Sequence, residues 1–144
     1  MEKTRTFFDN DIAAVFYDEK LDALFLQYKS KPKNLAEFIE VNQATLEAFQ
    51  LLNTVNFVAD IRKMSIISLE AQQWVLENLF PACVKHLKGR QLFHAQLMDP
   101  SEIMSKVAAN NLKRKTEIQG FTINQFGDEE SLSNALLNQH RKAS

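Results

Sequence analysis

Glycine, proline and cysteine are scarce in this 144-residue chain, at three, three and one, and the shortages of glycine and cysteine each remove a class of function. With glycine only at Gly89, Gly120 and Gly127, neither a G-x-G-x-x-G dinucleotide fingerprint nor a phosphate loop can be written anywhere. Cys83 has no second cysteine for an intramolecular disulfide, and His86, His94 and His140 are too widely spaced to form a zinc grouping, so neither metal nor cofactor is expected. The opening Met1-Glu2-Lys3-Thr4-Arg5 lacks the apolar core of a signal peptide, which predicts a cytoplasmic setting and no membrane insertion. An excess of one charge is also missing. Seventeen basic against eighteen acidic residues leave a net charge of −1, without the electrostatic footprint of a nucleic-acid binder.

What remains is the composition of an ordinary globular domain, 45% apolar and 24% charged, long enough to bury one core. Ile12 to Tyr17 and Leu21 to Tyr28 read as a β-hairpin around Asp18-Glu19-Lys20, with the second strand apolar on both faces. A helix follows Pro32, with Asn34 as N-cap, Glu37 completing a capping box, and Leu35, Phe38, Ile39, Leu46 and Phe49 as its inner stripe. Val55 to Asp60 is a third strand, and Ser68 caps a second helix that must bend at Pro81 and stop at Gly89. Gln91 to Met98 is a fourth strand. Asp99-Pro100-Ser101-Glu102 starts a third helix ending near Gly120. Phe121 to Phe126 is a last strand, and Asp128 caps a terminal helix whose tail, 139–144, is expected to fray. The order β-β-α-β-α-β-α-β-α predicts an α/β fold, a single domain over residues 1–144 with a mixed sheet of about five strands and an antiparallel entry.

The stretch from Asn56 to Trp74 is the most informative, because an apolar strand ends at Asp60 and passes through a compact loop into a helix. Such strand ends are where open α/β sheets place ligands. The hairpin entry, Phe57-Val58-Ala59-Asp60, Asp60-Ile61-Arg62-Lys63-Met64, Ile67-Ser68-Leu69-Glu70-Ala71-Gln72-Gln73-Trp74 and Phe80-Pro81 together resemble the SpoIIAA-like family. That family is related in fold to STAS domains and grouped with lipid-binding CRAL-TRIO-type folds. The resemblance spans roughly Asp11 to Leu137 and implies a STAS-like fold without a catalytic signature. In the anti-sigma-antagonist branch a phosphorylatable serine opens the helix after the third strand. Here Leu69 stands at that place, with Ser65 and Ser68 as neighbours, so the chain departs from the partner-switching motif.

No catalytic residue is expected: Ser65, Ser68 and Cys83 have no evident base, and each has a structural use as loop residue, N-cap or buried thiol. Asp60 and Arg62 either bind a ligand at the strand end or tie down the loop backbone. Lys29, Lys31 and Lys33, and Lys113, Arg114 and Lys115, either meet anionic head groups or form solvated loop and helix ends. His94 reads as a hydrogen-bonded sheet histidine. Met64, Ile66, Ile67, Trp74 and Phe80 exceed a single inner stripe, which places them in the core or at a pocket or interface. Two functions follow as expectations. The first is a noncatalytic interaction or regulatory module that pairs with itself as a homodimer or with another protein through Asp60, Arg62, Met64, Ser65, Ile66, Ile67, Ser68, Trp74 and Phe80. The alternative is a binder of a small apolar or lipid-like anionic ligand in a cleft beside the third-strand loop and second helix.

Overall fold

The computed structural model describes residues 1–65, 68–101, 110, 112–114 and 121–143. Six strands form one sheet in sequential order: β1 (Arg5–Asp9), β2 (Ala13–Asp18), β3 (Ala23–Tyr28), β4 (Asn56–Asp60), β5 (Phe93–Leu97) and β6 (Ile123–Phe126). The β1–β2 and β2–β3 pairs are antiparallel, and β3 to β6 are parallel. The mixed α/β architecture agrees with the sequence reading, but the sheet has one more strand than expected. The extra one is β1, a short segment with a charged residue at each end that becomes a strand by pairing Arg5 with Tyr17 and Asp9 with Ala14, across a register shift between Thr6 and Phe8. Its stability comes from β2 and leaves no alternation to read in the sequence.

The hairpin turn follows the expected chemistry. Asp18 accepts a hydrogen bond from the Leu21 backbone N–H at 3.1 Å, and Asp22 takes a left-handed φ of 50° that aspartate tolerates better than most residues. Helix α1 (Leu35–Gln50) is capped by Asn34, whose side chain accepts from Glu37 N at 2.9 Å. The reciprocal half of the box differs, because the Glu37 carboxylate reaches back to Lys33 N at 2.7 Å rather than to the cap residue. The buried face of α1 comprises Phe38, Val41, Asn42, Thr45, Ala48 and Phe49, so it includes two polar residues that an apolar stripe passes over. Asn42 and Thr45 are admitted because each donates to the carbonyl four residues back, at 2.9 Å in both cases.

After β4 the chain enters α2 (Leu69–Trp74), capped by Ser68 Oγ accepting from Ala71 N at 3.1 Å. A π-helical turn, Val75–Leu79, then leads into α3 (Phe80–Leu87). Pro81 has no N–H to donate, and its ring crowds the preceding turn; the helix responds by widening ahead of it, with Phe80 N bonding Val75 O five residues back. Helix α3 ends with Lys88 and Gly89 both left-handed, at φ 51° and 93°. Asp99 accepts from Ser101 N at 3.0 Å, as its helix-start motif requires, but most of that third predicted helix, with its end near Gly120, lies outside the described residues. Helix α4 (Glu129–Ala143) begins after Asp128, which accepts from Ser131 N at 2.7 Å.

The sheet separates two cores. Phe49, Phe57, Leu79, Phe80 and Leu87 fill the side beneath α1 to α3, while Phe16, Phe25, Val58, Leu97, Leu132 and Leu136 fill the side beneath α4. Phe16 stacks on Phe25 with ring centroids 5.2 Å apart. Phe16, Phe25, Phe38, Phe57, Val58 and Leu97 are all buried. Among the described strands the parallel ones follow sequential order with no reversal, so they offer no topological switch point.

Candidate functional site

The residues at the end of β4 divide by the period of the strand. Side chains alternate across a sheet, so Phe57, Ala59 and Ile61 enter the core under α1 to α3, whereas Val58 enters the other. Asp60 shares the parity of Val58 and is 3% exposed. Its carboxylate accepts from Arg62 Nε at 2.9 Å and Nη2 at 2.7 Å, from Arg62 N at 3.3 Å, and from Gln27 Nε2 at 3.3 Å. Arg62 Nη2 also donates to Glu129 Oε1 at 3.2 Å, in the first turn of α4. Hydrogen bonding to Asp60, ahead of every other influence, raises the guanidinium pKa further above its already high value. Asp60 and Arg62 therefore form a bidentate tie joining the β4 end to α4, and neither lines the cavities on the other face.

On that other face lies a cleft of about 230 Å³ between the start of α1 and the start of α2. Lys31, Lys33, Glu70, Ser68, Phe38 and Met64 are among its walls, two basic residues against one acidic. Lys29 does not join them, because its ammonium is paired with Asp9 and donates to Asn10 O at 2.9 Å. Next to the cleft is a smaller chamber of about 40 Å³ lined by residues of β3, β4, β5, α1, the π-helical turn and the start of α3, together with Ile61, Met64 and Leu112. Phe38 and Met64 line both spaces. The chamber is apolar apart from Tyr28, Asn42, His94 and Gln96.

His94 is fully buried and lies between Phe57 and Phe80, with ring centroids 4.6 and 5.2 Å away. Its Nδ1 is 2.8 Å from Phe57 O, so that nitrogen carries the proton, and burial pushes the imidazole pKa down to about 4. This is the hydrogen-bonded sheet histidine the sequence suggests, neutral and available as an acceptor only through Nε2. Asn42 Nδ2 donates to Tyr28 Oη at 3.1 Å, and desolvation raises the Tyr28 phenol pKa.

The nine nominated site residues thus fall into separate places. Met64 and Ser68 meet at the cleft, and Met64 and Phe80 meet at the chamber. Met64 and Phe80 are 4% and 2% exposed, so both belong to the chain's own core and offer no surface to a partner. Trp74 is half-buried beside Leu35 along a shallow groove with Leu69, Glu70 and Glu77. Ser65 is exposed, with a left-handed φ of 69°. Ile66, Ile67 and Lys115 lie outside the described residues. Cys83 is buried and its thiol is pushed up to about 12, which suppresses the nucleophilic thiolate. Sequence reasoning missed Tyr28, Asn42 and Gln96. The available signal was polar side chains at inward positions of otherwise apolar elements. Among the described residues no group of three or more His, Cys, Asp or Glu side chains is placed to hold a metal, and no helix is long and apolar enough to cross a membrane. No protein-family model, curated protein or solved structure matches the chain.

Proposed function

We propose that the chain is a noncatalytic binding module for a small ligand with an apolar body and an anionic end, held in the cleft between α1 and α2. One observation carries this reading: the cleft bearing Lys31 and Lys33 shares Phe38 and Met64 with an apolar chamber behind it. Small-molecule sites combine apolar walls with a few placed polar groups in this way. Membership of the SpoIIAA-like family belongs to the same proposal and rests on the order of elements and the Asp60-Ile61-Arg62 to Trp74 stretch. Backbone amide NMR titration with decanoate, and with a decyl cation of equal length, tests the binding. Decanoate should shift the 31–35 segment and Ala71 saturably, the cation should not, and Lys31→Glu with Lys33→Glu should weaken decanoate at least ~10-fold. Equal binding of the two probes, or no binding, overturns the reading.

A second reading, association through the surface of α2, draws on a different observation. Leu69 is 72% exposed and shares a groove with Trp74 and Leu35. An apolar residue so exposed beside a half-buried indole suits an interface anchor.

A further inference from the structure

The outer face of α2 carries a stripe that begins beside the cleft and follows the helix away from it. Leu69, Gln73 and Glu77 recur at every fourth position, which puts them on one side of the helix, with Glu77 roughly 12 Å along the axis from Leu69. Leu35 and Glu70 line both the cleft and the groove over Trp74, so the two surfaces are continuous. Lys31 and Lys33 stand at the end where α2 starts, and Glu77 stands at the far end, with Leu35, Leu69 and the half-buried Trp74 in the span from one to the other. Glu70 belongs to the basic end, where the two lysines outnumber it. All four charged residues are exposed, and among the described residues none of them is in an ion pair.

We infer that this stripe is a two-fold interface and that its occupant is a second copy of the chain. The inference rests on the reading of α2 as an association surface and names the partner. A surface with cations at one end, a carboxylate at the other and apolar groups between them is complementary to itself after a half-turn about its centre. In that arrangement Lys31 and Lys33 of each copy face Glu77 of the other, and Leu69 and Trp74 are covered near the axis. A foreign partner would have to bring the matching pattern, whereas this chain already carries it. The exposed leucine beside the indole supplies the apolar centre, and the charges at the rim fix the orientation.

Analytical ultracentrifugation across a concentration series tests the inference, in buffer without alkanoate because a cleft ligand would occupy the same lysines. Wild type should pass from monomer to dimer, and the emission of Trp74, the only tryptophan, should shift to the blue with the same midpoint. Lys31→Glu with Lys33→Glu, and separately Glu70→Lys with Glu77→Lys, should each weaken self-association at least ~10-fold, because each sets like charges against one another. Mixing the two variants restores opposite charges at both ends, so a mixed dimer at least as tight as the wild-type one should form. Leu69→Glu added to both should abolish it. Wild type that stays monomeric overturns the inference and leaves the α2 surface to a different partner. Charge variants that dimerise like wild type, where Leu69→Glu does not, overturn the two-fold pairing while the α2 surface stands. A wild-type dimer without the Trp74 shift, or one that survives Leu69→Glu, lies elsewhere and overturns both. A mixture that fails to pair, or pairs despite Leu69→Glu, also overturns the inference.

Discussion

Phe57 and His94 show how much of this protein is settled by individual side chains. Phe57 is 1% exposed and packs against Phe49 and the His94 ring, so Phe57→Ala removes a large apolar group from a site that cannot close over the gap. Chemical denaturation should record a loss of about 3–5 kcal/mol. The His94 ring is neutral when folded, with its pKa lowered from 6.5 to about 4. In the unfolded chain the ring returns to its ordinary value and binds a proton that the folded protein refuses. Stability from this residue is therefore complete above pH 6.5 and declines as the pH falls toward about 4. The loss totals about 3 kcal/mol. Asp9, Asp99 and Asp128 have carboxyls held below 3.8, so their contribution is lost beneath that window. Denaturation midpoints of wild type and His94→Leu measured across the window should differ in slope, the variant lacking the histidine part.

At the scale of elements, the joint between β4 and α4 separates a strong interaction from a weak one in the same network. Asp60 is nearly inaccessible, with its side chain 4% exposed, and its carboxylate is bonded by Arg62 and Gln27. Arg62→Ala leaves that charge buried with fewer donors. Because the arginine side chain is 35% exposed and solvent replaces part of the tie, the cost should be about 2 kcal/mol. Glu129 is 51% exposed, and Glu129→Gln should cost less than ~0.5 kcal/mol. Equal costs for the two substitutions would contradict the assignment of Asp60 and Arg62 as the structural half of the network. The helix over the chamber carries a related lesson. Pro81 announces a disturbance in the sequence, but whether the helix breaks, kinks or widens depends on what lies beneath. Here Val75, Leu79 and Phe80 pack on the core and line the chamber, and a π-helical turn keeps all three in place.

For the whole molecule, one sheet lies between two cores, and the strands that serve one core serve the other. Phe57 and Val58 are consecutive residues on opposite faces of β4, so neither core can be lost without disturbing the sheet. Phe49→Ala beneath α1 and Leu136→Ala beneath α4 should each lower a single calorimetric transition, by about 2–5 kcal/mol. Two transitions responding separately to the two substitutions would divide the chain. Assembly is tested at Leu69, the most exposed large apolar side chain on α2. Leu69→Glu should abolish any concentration-dependent association seen by light scattering while shifting stability by no more than ~0.5 kcal/mol. Wild-type protein that stays monomeric at every concentration removes the α2 surface as a self-association site.

Local rules written in neighbouring residues were legible without a structure: Asn34, Ser68 and Asp128 as caps, the hairpin before Tyr28 with its second strand apolar on both faces, and the mixed sheet with an antiparallel entry. Those features depend on contacts within a few residues or on the periodicity of one element, and both are properties of sequence. Tertiary structure decided that Asp60 and Arg62 face α4 while Met64 and Ser68 face the cleft, although all four lie within one short stretch. The strand's alternation and the loop's path send them to opposite sides of the sheet. Only folding shows that Tyr28, Asn42, His94 and Gln96, from three separate elements, line one chamber. It also makes β1 a strand through β2, and removes Phe80 and Met64 from the surface. Each of these outcomes depends on groups far apart in the chain arriving together, and no pattern within a single segment records that meeting.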